Sequence, residues 1–281
     1  MFKKEKDKDQ SLEKQKSEMD EYKLPEGMDD ISGFEGSTED DFKLALLLVL
    51  QSNSPQLETV PGAKAGMFIN SVTNELYEGK DGILFQTCAR RAQYLEFIPR
   101  DNGGGFVGLY QPSDSFVHEA QKRHKEEGGA YGKLTTEDGN ELVDTRTMLG
   151  YIIRENGTKV PISIPFASTK IKHFKGWMSM ARDQFYPGSN TAIKLWGLLY
   201  RITTYNDKNK KGAFKNIQIM YEGQNKTTAI VNPQSELYRE GYEFSKAAQG
   251  TDYQVNFASA QDQGAVEDVP DADEDGQKPA F

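Results

Sequence analysis

The sequence has few of the residues that build metal centres and disulfide frameworks. Its 281 residues include one cysteine, Cys88, and three histidines, His118, His124 and His173. A single cysteine excludes an internal disulfide and is typical of a protein kept in a reducing cytoplasm. These residues are also too scattered for a recognisable zinc-binding spacing. We therefore expect neither a metal nor another cofactor at the functional site.

Long hydrophobic runs are missing as well. The most apolar run, LALLLVL, occupies positions 44–50, whereas a membrane-spanning helix needs roughly 20 apolar residues. The first residues, MFKKEKDKDQSLEK, are charged but are followed by no apolar region, so they do not match a secretory signal. The sequence predicts a cytoplasmic protein with no membrane partner.

Familiar catalytic motifs are absent too. The chain contains no GxSxG, HExxH or Walker sequence. Gly103, Gly105 and Gly108 match GxGxxG as a string, but Pro112 follows too soon for the helix that a dinucleotide site requires. We interpret these glycines as a turn or bulge, and we expect a binding protein rather than an enzyme.

Charge is unevenly distributed along the chain. The net charge is −9, yet residues 1–23 balance to zero, while residues 24–40 and 261–281 carry −6 each. Residues 41–260 are therefore mildly basic, at +3. A basic middle between acidic ends is compatible with a polyanionic partner.

Three β-hairpins are predicted in the middle of the chain. Extended runs meet at EGKDG in the first, the second turns at Asn156-Gly157, and the third turns near KNKKG. The segment STEDDFKLALLLVLQS predicts a short helix, because Thr38 and Asp41 approximate a capping box. Residues 113–141 are predicted to be a polar excursion between strands rather than part of the core.

Two further helices are predicted from periodicity and capping. STKIKHFKGWMSMARDQ has helical period, with Ile171, Phe174, Met178 and Ala181 on one face. NPQSELYREGYEFSKAAQG predicts a last helix that begins at Asn232, with proline at its first position.

These elements predict a mainly β protein of the α+β type. The most economical arrangement is an OB-like antiparallel barrel of five to six strands, with an internal helix and flanking helices, and a β-sandwich is the alternative. This core is expected over residues 37–250. A flexible charged arm over residues 1–36 precedes it, and a disordered acidic tail over residues 251–281 follows it.

The strand TCARRAQYLEFIPR is the first candidate binding surface. Alternation places Arg90 and Tyr94 on one face, and Arg91, Leu95 and Phe97 on the other. A guanidinium beside a phenol can attract a phosphate and stack a base, as in grooves that bind single strands. The alternative is a half-buried strand with ordinary surface arginines.

The third hairpin and the internal helix supply two more candidates. Along LWGLLYRITTYNDKNKKG the alternation predicts a core face and an aromatic, basic face that leads to a lysine-rich turn. Those lysines could instead protect an exposed sheet edge. Lys170, Lys172 and Lys175 fall in the first two helical turns, where the helix dipole disfavours cations unless an anion binds there. A solvated helix face is the alternative. The full predicted set for single-stranded DNA is Arg90, Arg91, Tyr94, Arg100, Lys170, Lys172, Lys175, Trp177, Arg201, Tyr205, Lys208, Lys210 and Lys211.

The chain ends in VEDVPDADEDGQKPAF, an acidic stretch closed by an aromatic residue. It mimics a phosphate polymer, and its last ring and carboxylate suit a small basic pocket on a partner protein. The alternative is a tail that only aids solubility. The predicted partner-binding residues are Asp271, Asp273, Glu274, Asp275 and Phe281.

This tail is similar to that of the single-stranded DNA-binding proteins of tailed bacteriophages. The body, over residues 61–223, resembles phage replication-module proteins in PGAKAGMFINSVTNELYEGKDGILF, EFIPRDNGGGFVG, STKIKHFKGWM and YRITTYNDKNKKG. The resemblance implies an OB barrel, a single-stranded DNA ligand, and a tail that recruits replication and recombination proteins. Residues 113–141, and Lys278 to Ala280 before the last Phe, depart from the pattern.

The expected function is to coat and protect single-stranded DNA during phage replication and recombination in the host bacterial cytoplasm, without catalysis. Phage or host replication and recombination proteins are the expected partners, RNA polymerase is a further candidate, and a homo-oligomer is compatible with this role. The alternative is a regulatory or scaffold protein that contacts RNA polymerase or a nuclease through its acidic ends.

Overall fold

The computed structural model describes residues 44–127, 134–209, 212–223 and 229–249, together with Val255 and Phe257. The chain divides after Asp41 into two units, and every described residue belongs to the second, Phe42–Phe281. The predicted arm over residues 1–36, Lys210, Lys211 and the tail residues Asp271 to Phe281 lie outside the described residues.

Most of the regular structure in the described ranges is β-strand, and no helix there is long and apolar enough to cross a membrane. The helices are α1 (Gln56–Thr59), α2 (Ser115–Glu126), α3 (Ile171–Arg182) and α4 (Glu236–Ala247), with short 3-10 helices at Arg100–Asn102, Ser168–Lys170 and Leu195–Gly197. The strands are β1 (Ala45–Val49), β2 (Phe68–Asn70), β3 (Leu76–Tyr77), β4 (Ile83–Phe97), β5 (Phe106–Tyr110), β6 (Leu134–Thr135), β7 (Glu141–Ile153), β8 (Lys159–Ala167), β9 (Leu199–Asn209) and β10 (Gly212–Tyr221).

The strands form one mixed sheet that curls into a half-barrel. Its order is β10-β9-β4-β7-β8-β1-β2-β3, with β5 added to β4 and β6 added to β7. Neighbouring strands are antiparallel except β1 and β8, which are parallel. The prediction of a mainly β protein with few helices is confirmed, and the barrel-like curl is consistent with the expected class.

Strand β4 is the centre of the sheet, because it pairs with β7 along its length, with β9 near its start and with β5 near its end. The β4–β7 register shifts between Thr87 and Ala89. Such a bulge bends a strand and increases its twist. One long strand can therefore follow the curl of the sheet and pair with strands on both of its edges. Opposite this point lies Gly150, where a Cβ would be 2.0 Å from the carbonyl oxygen of Gln86.

The main core lies between the concave side of the sheet and helix α3. Phe174, Trp177 and Ala181 are its buried contributions from the helix. The sheet contributes buried aromatic and aliphatic residues of seven strands, among them Phe85, Met148, Ile164, Phe166, Tyr200 and Ile202. The helix therefore closes the half-barrel on this side.

Two further clusters cover other parts of the sheet. Leu46, Leu48 and Leu50 of the first strand region pack with Leu95 and Phe97. Helix α2 packs Val117 and Ala120 against Tyr94 and Leu142. Val255 forms a parallel bridge with Leu44, and Phe257 is buried in the first of these clusters. These two described residues of the predicted tail segment therefore pack on the core.

Several predicted elements are correct. The second hairpin is β7–β8, and Gly157 in its turn has φ +83°. The third hairpin is β9–β10, and the internal helix is α3. Leu198, Tyr200 and Ile202 are fully buried, as the assigned core face requires, while Trp196 is half-buried.

Other predicted elements are wrong. The run at positions 44–50 is strand β1 rather than a helix, because a continuous apolar run also suits a strand enclosed between neighbours. Glycine-rich EGKDG joins no hairpin, since β3 pairs with β2 and β4 pairs with β5, β7 and β9. Residues 113–141 contain α2, whose residues Val117 and Ala120 are in the core. The last helix begins after Ser235, whose hydroxyl accepts a hydrogen bond from the Tyr238 N–H, and not at Asn232.

The close approach of β4 and β7 generates a stability prediction. We expect Gly150→Ala to lower the free energy of unfolding by about 3 kcal/mol, the upper end for overpacked positions, because the new methyl group meets a backbone carbonyl that cannot move aside. Urea denaturation measures this loss. Gly157→Ala is the control, since its Cβ meets no atom within 4 Å and costs only the strain of a positive φ, about 1 kcal/mol. If Gly150→Ala lost no more free energy of unfolding than Gly157→Ala, the described β4–β7 packing would be contradicted.

Candidate functional site

Positive charge is concentrated in the part of the chain that contains α3 and the β9–β10 hairpin. Between Lys159 and Lys215 the sequence has eleven Lys and Arg residues but only two acidic residues, Asp183 and Asp207. In a chain of net charge −9, this segment alone carries +9. Such a local excess attracts anions even when the whole protein repels them.

Helix α3 presents a basic face because its opposite face is held in the core. Trp177 and Phe174 are buried, so Lys172, Lys175 and Arg182 are turned outwards and are exposed. No acidic residue lies in the first turn of the helix, and no side chain caps it. The predicted helix with lysines in its first two turns is therefore present.

A groove of about 540 Å³, here called the hairpin groove, separates α3 from the β9–β10 hairpin. Tyr205, which is 37% exposed, forms part of its wall. The lining combines one basic side chain with apolar and aromatic groups and contains no acidic residue. The lining residues are Lys172, His173, Gly176, Trp177, Met180, Tyr205, Ile217, Gln218 and Ile219.

A hydrogen-bond network orders the wall of the hairpin groove. The hydroxyl of Tyr205 donates to Oδ2 of Asp207 over 3.3 Å, and Nδ2 of Asn216 donates to the same oxygen over 2.9 Å. The Ile217 N–H donates to Oδ1 of Asn216, which fixes the orientation of the amide. Nδ2 of Asn216 also lies 3.1 Å from Nε2 of His173. The arrangement fits a neutral imidazole whose Nε2 accepts.

The environment of His173 favours its neutral form. Burial lowers the pKa of His173 below its ordinary value of 6.5, and the charges of Lys172 and Lys170 lower it further, while Asp207 opposes them. The same Asp207 has a lowered pKa, because Asn216 and the Lys208 N–H donate hydrogen bonds to it. The network therefore holds one carboxylate and one uncharged imidazole at neutral pH.

A second groove of about 580 Å³, here called the sheet groove, lies on the other side of α3. Arg90, Lys175 and Arg182 are its basic residues, all of them exposed. Arg182 pairs with Asp183 at 3.1 Å, but with 79% and 67% of the side chains exposed the pair contributes little and leaves the guanidinium accessible. The lining residues are Arg90, Phe174, Lys175, Met178, Ser179, Ala181, Arg182, Ile193 and Leu195.

Tyr94 is not on a binding surface. It is 7% exposed, it packs on Val117 and Ala120 of α2, and its hydroxyl accepts a hydrogen bond from Nε2 of Gln121 over 3.0 Å. The predicted stacking role is therefore excluded in this structure, because the segment predicted to be a polar excursion instead forms the helix that covers this strand face. Burial also raises the pKa of Tyr94.

Trp177 is likewise in the core rather than on the surface. Its ring is fully buried and makes edge-to-face contacts with Tyr200, Phe85 and Phe166 at centroid distances of 5.2, 5.8 and 6.0 Å. Trp177 borders the hairpin groove but exposes none of its surface, so a base cannot stack on its ring. The predicted contact of Trp177 with DNA is therefore wrong, and its role is to hold α3 on the sheet.

Two of the predicted arginines have structural partners. Arg201 forms a two-bond ion pair with Glu222, from Nε and Nη2 at 2.9 Å each. Arg91 donates from Nη2 to the carbonyl oxygen of Ala248 at the end of α4, over 2.9 Å. Arg100 is exposed in the 3-10 helix Arg100–Asn102 and lines neither groove.

The remaining predicted residues divide between the two grooves and their surroundings. Lys172 and Tyr205 are brought together in the hairpin groove, and Arg90 and Lys175 in the sheet groove. Half-buried Lys170 precedes α3, and exposed Lys208 follows Asp207 on β9. Lys210 and Lys211 are outside the described residues.

Sequence reasoning missed two residues of the exposed helix face, Gly176 and Arg182. The signal for both was available, because they follow Lys172 and Lys175 at intervals of four and seven residues, which lie on one side of a helix.

Within the described ranges no three His, Cys, Asp or Glu residues are close enough to hold a metal ion. Cys88 is buried, and burial raises the pKa of its thiol.

Comparison with known proteins identifies one relationship. A protein-family model described as Pam3 phage gp34-like protein matches residues 14–254, which is most of the chain. No curated protein and no solved structure matches the chain.

The network around His173 predicts a pH dependence of stability. A histidine whose pKa is lowered by folding binds a proton more readily in the unfolded chain, so stability falls as the pH drops below about 6.5. We expect His173→Gln, which keeps an acceptor for Asn216 but cannot titrate, to lose less thermal stability than the wild type between neutral and mildly acidic pH. Thermal melts over this range measure the difference. Parallel curves for the two proteins would show that His173 does not titrate in this way.

Proposed function

The chain belongs to the Pam3 phage gp34-like protein family, which supports a phage origin, and we propose that it is a phage single-stranded DNA-binding protein. It coats and protects unpaired DNA during phage replication and recombination, in the host cytoplasm and without catalysis. The observation that carries the proposal is the pair of open grooves beside α3. They are lined by Arg90, Lys172, Lys175 and Arg182 and by no acidic residue.

The charge arrangement suits a flexible phosphate backbone. Lys172 and Arg182 are ten positions apart on the helix, which corresponds to about 15 Å along its axis. A strand that crosses this face can approach cations on both sides of the helix. Proteins that bind single strands without sequence preference combine such a basic track with aromatic rings, and Tyr205 is the exposed ring beside it.

The pairing of the central strands supports an OB barrel as the finer description of the fold. In this interpretation β4, β7, β8, β9 and β10 are the five barrel strands, and α3 connects the third to the fourth. Gln51, which follows β1, connects this end of the sheet with β10 at the other end. Its side chain donates to the Lys215 carbonyl over 2.9 Å and accepts from the Lys215 N–H over 2.8 Å. The order β10-β9-β4-β7-β8 supports this interpretation, although β8 pairs with β1 and not with β10 at the opening.

The proposal assigns the DNA contacts differently from the sequence-based prediction. Arg90, Lys172, Lys175, Tyr205 and Lys208 remain, and Arg182 joins them. Tyr94, Trp177, Arg91 and Arg201 are removed from the set, since the first two are buried and the last two have protein partners. The contacts centre on α3 rather than on one face of β4.

The acidic C-terminal segment completes the proposed function. We assign to Asp271, Asp273, Glu274, Asp275 and Phe281, on sequence grounds alone, the recruitment of phage or host replication and recombination proteins. Deleting residues 261–281 should leave the affinity for single-stranded DNA unchanged or raise it, because a competing polyanion is removed. If instead the protein were a scaffold acting through its acidic ends, its DNA affinity would be low from the start.

Neutralising the basic residues of the grooves tests the proposal directly. We expect the triple variant Arg90→Gln, Lys172→Gln, Lys175→Gln to bind labelled poly(dT) more weakly. The slope of log affinity against log salt concentration should become shallower by about 0.7 for each lost phosphate contact. Fluorescence anisotropy titrations at several salt concentrations measure both quantities. Lys122→Gln is a control for a single lost charge, because Lys122 is exposed on α2 and lines neither groove.

Two results would contradict the proposal. One is a wild-type protein that binds duplex DNA as tightly as poly(dT), because accessible bases would then add nothing. The other is an unchanged salt dependence in the triple variant, since the cations beside α3 would then make no phosphate contacts.

A further inference from the structure

We propose that the hairpin groove is a slot for one unpaired nucleobase, which lies against Gly176 of α3 and stacks on Tyr205. The inference rests on the proposed function and adds to it the position of a base and a residue that makes room for it. Gly176 has no role in the charge-based argument, so the two proposals can fail separately.

Gly176 is the first observation, because glycine is unfavourable in the interior of an exposed helix. Some helical glycines are required by packing: in α4, a Cβ on Gly241 would lie 2.5 Å from Nε2 of Gln86. At Gly176, by contrast, no described atom lies within 4 Å of the position that a Cβ would take, apart from its chain neighbours and the adjoining helix backbone. The described protein therefore supplies no steric reason for glycine at this position of α3.

The surroundings of Gly176 supply the second observation. The missing side chain opens the floor of the hairpin groove towards the helix backbone, directly within the wall that includes Lys172 and Tyr205. The groove volume of about 540 Å³ lies in the range of roughly 300–1,000 Å³ that is typical of small-ligand sites. Met180, Ile217 and Ile219 provide apolar contacts for a flat ring.

The third observation is the fixed orientation of Tyr205. Its hydroxyl donates to Asp207 over 3.3 Å, and Asn216 donates to the same carboxylate, so this network restrains the ring before any ligand arrives. A preordered ring loses little conformational entropy when a base stacks on it.

The chemistry of the groove favours a nucleotide over other flat or apolar groups. A nucleotide presents a π-face to Tyr205 and a phosphate to Lys172 at the same time. An acidic peptide could meet Lys172 but would not need the open floor at Gly176, and an apolar side chain would leave Lys172 unused. We therefore assign the groove to one nucleotide of a single strand.

Filling the slot by one methyl group is the test, because the change should act on stability and on binding in opposite directions. We expect Gly176→Ala to raise the thermal midpoint by about 2–4 °C through its higher helix propensity. It should at the same time weaken poly(dT) binding about fivefold or more, the lower end of what one stacked base contributes. Calorimetric or fluorescence melts and anisotropy titrations measure the two effects.

Two controls separate steric blocking from helix stabilisation. His118→Ala also increases helix propensity at an exposed position, on α2, but lines neither groove, so it should leave DNA affinity unchanged. In a double-mutant cycle, Gly176→Ala should cost much less affinity in a Tyr205→Leu background, because both changes act on the same base. An abasic strand should bind wild type and Gly176→Ala equally.

Each outcome has a distinct meaning. If the wild type binds poly(dT) and Gly176→Ala binds it equally well, the base slot is wrong while the proposed function stands. A lowered thermal midpoint would show that the site is not open, and would also overturn the slot. Additive effects in the double-mutant cycle, or weaker binding of the abasic strand by Gly176→Ala, would place the base elsewhere. If the wild type fails to bind poly(dT), the proposed function itself is wrong.

Discussion

The insertion of Trp177 into the concave side of the sheet determines how the rest of the surface is arranged. Its ring contacts Phe85, Phe166 and Tyr200, which belong to three different strands. Once one face of α3 is held in this way, helical geometry turns Lys172 and Lys175 outwards and creates a groove on each side of the helix. The core packing and the basic surface are therefore two results of one contact.

The fold also determines which charges are available to a ligand. Arg201 and Arg91 are occupied by Glu222 and by the end of α4, and Asp207 is occupied by hydrogen bonds within the wall of the hairpin groove. Arg90, Lys172, Lys175 and Arg182 stay exposed along the two grooves, while the carboxylates of Asp207 and Asp183 lie close to the hairpin groove and the sheet groove respectively. An acidic chain can thus present a basic surface, because pairing and burial remove charges selectively.

Local signals predicted the elements whose contacts are close in sequence. The β7–β8 and β9–β10 hairpins follow from turn residues and alternating strands, and α3 follows from its period. Features that depend on distant partners, such as the strand state of β1 and the pairing of β4, were predicted wrongly. Strand β1 exists because β8 lies beside it, and β4 pairs with β5, β7 and β9 rather than with the strand before it. The residues of β1 and β4 do not themselves indicate which strands these two will pair with.

The sequence by itself determined the alternation of β9, the helical period of α3 and its run of exposed lysines, because these depend only on neighbouring residues. Only the tertiary structure decided that Tyr94 is covered by α2, that Arg201 is paired, and that Gly176 faces an open groove rather than a packed neighbour. Burial and pairing depend on which remote segment comes to lie against a side chain. That choice is made by the whole sheet, and a residue's own surroundings in the sequence do not contain it.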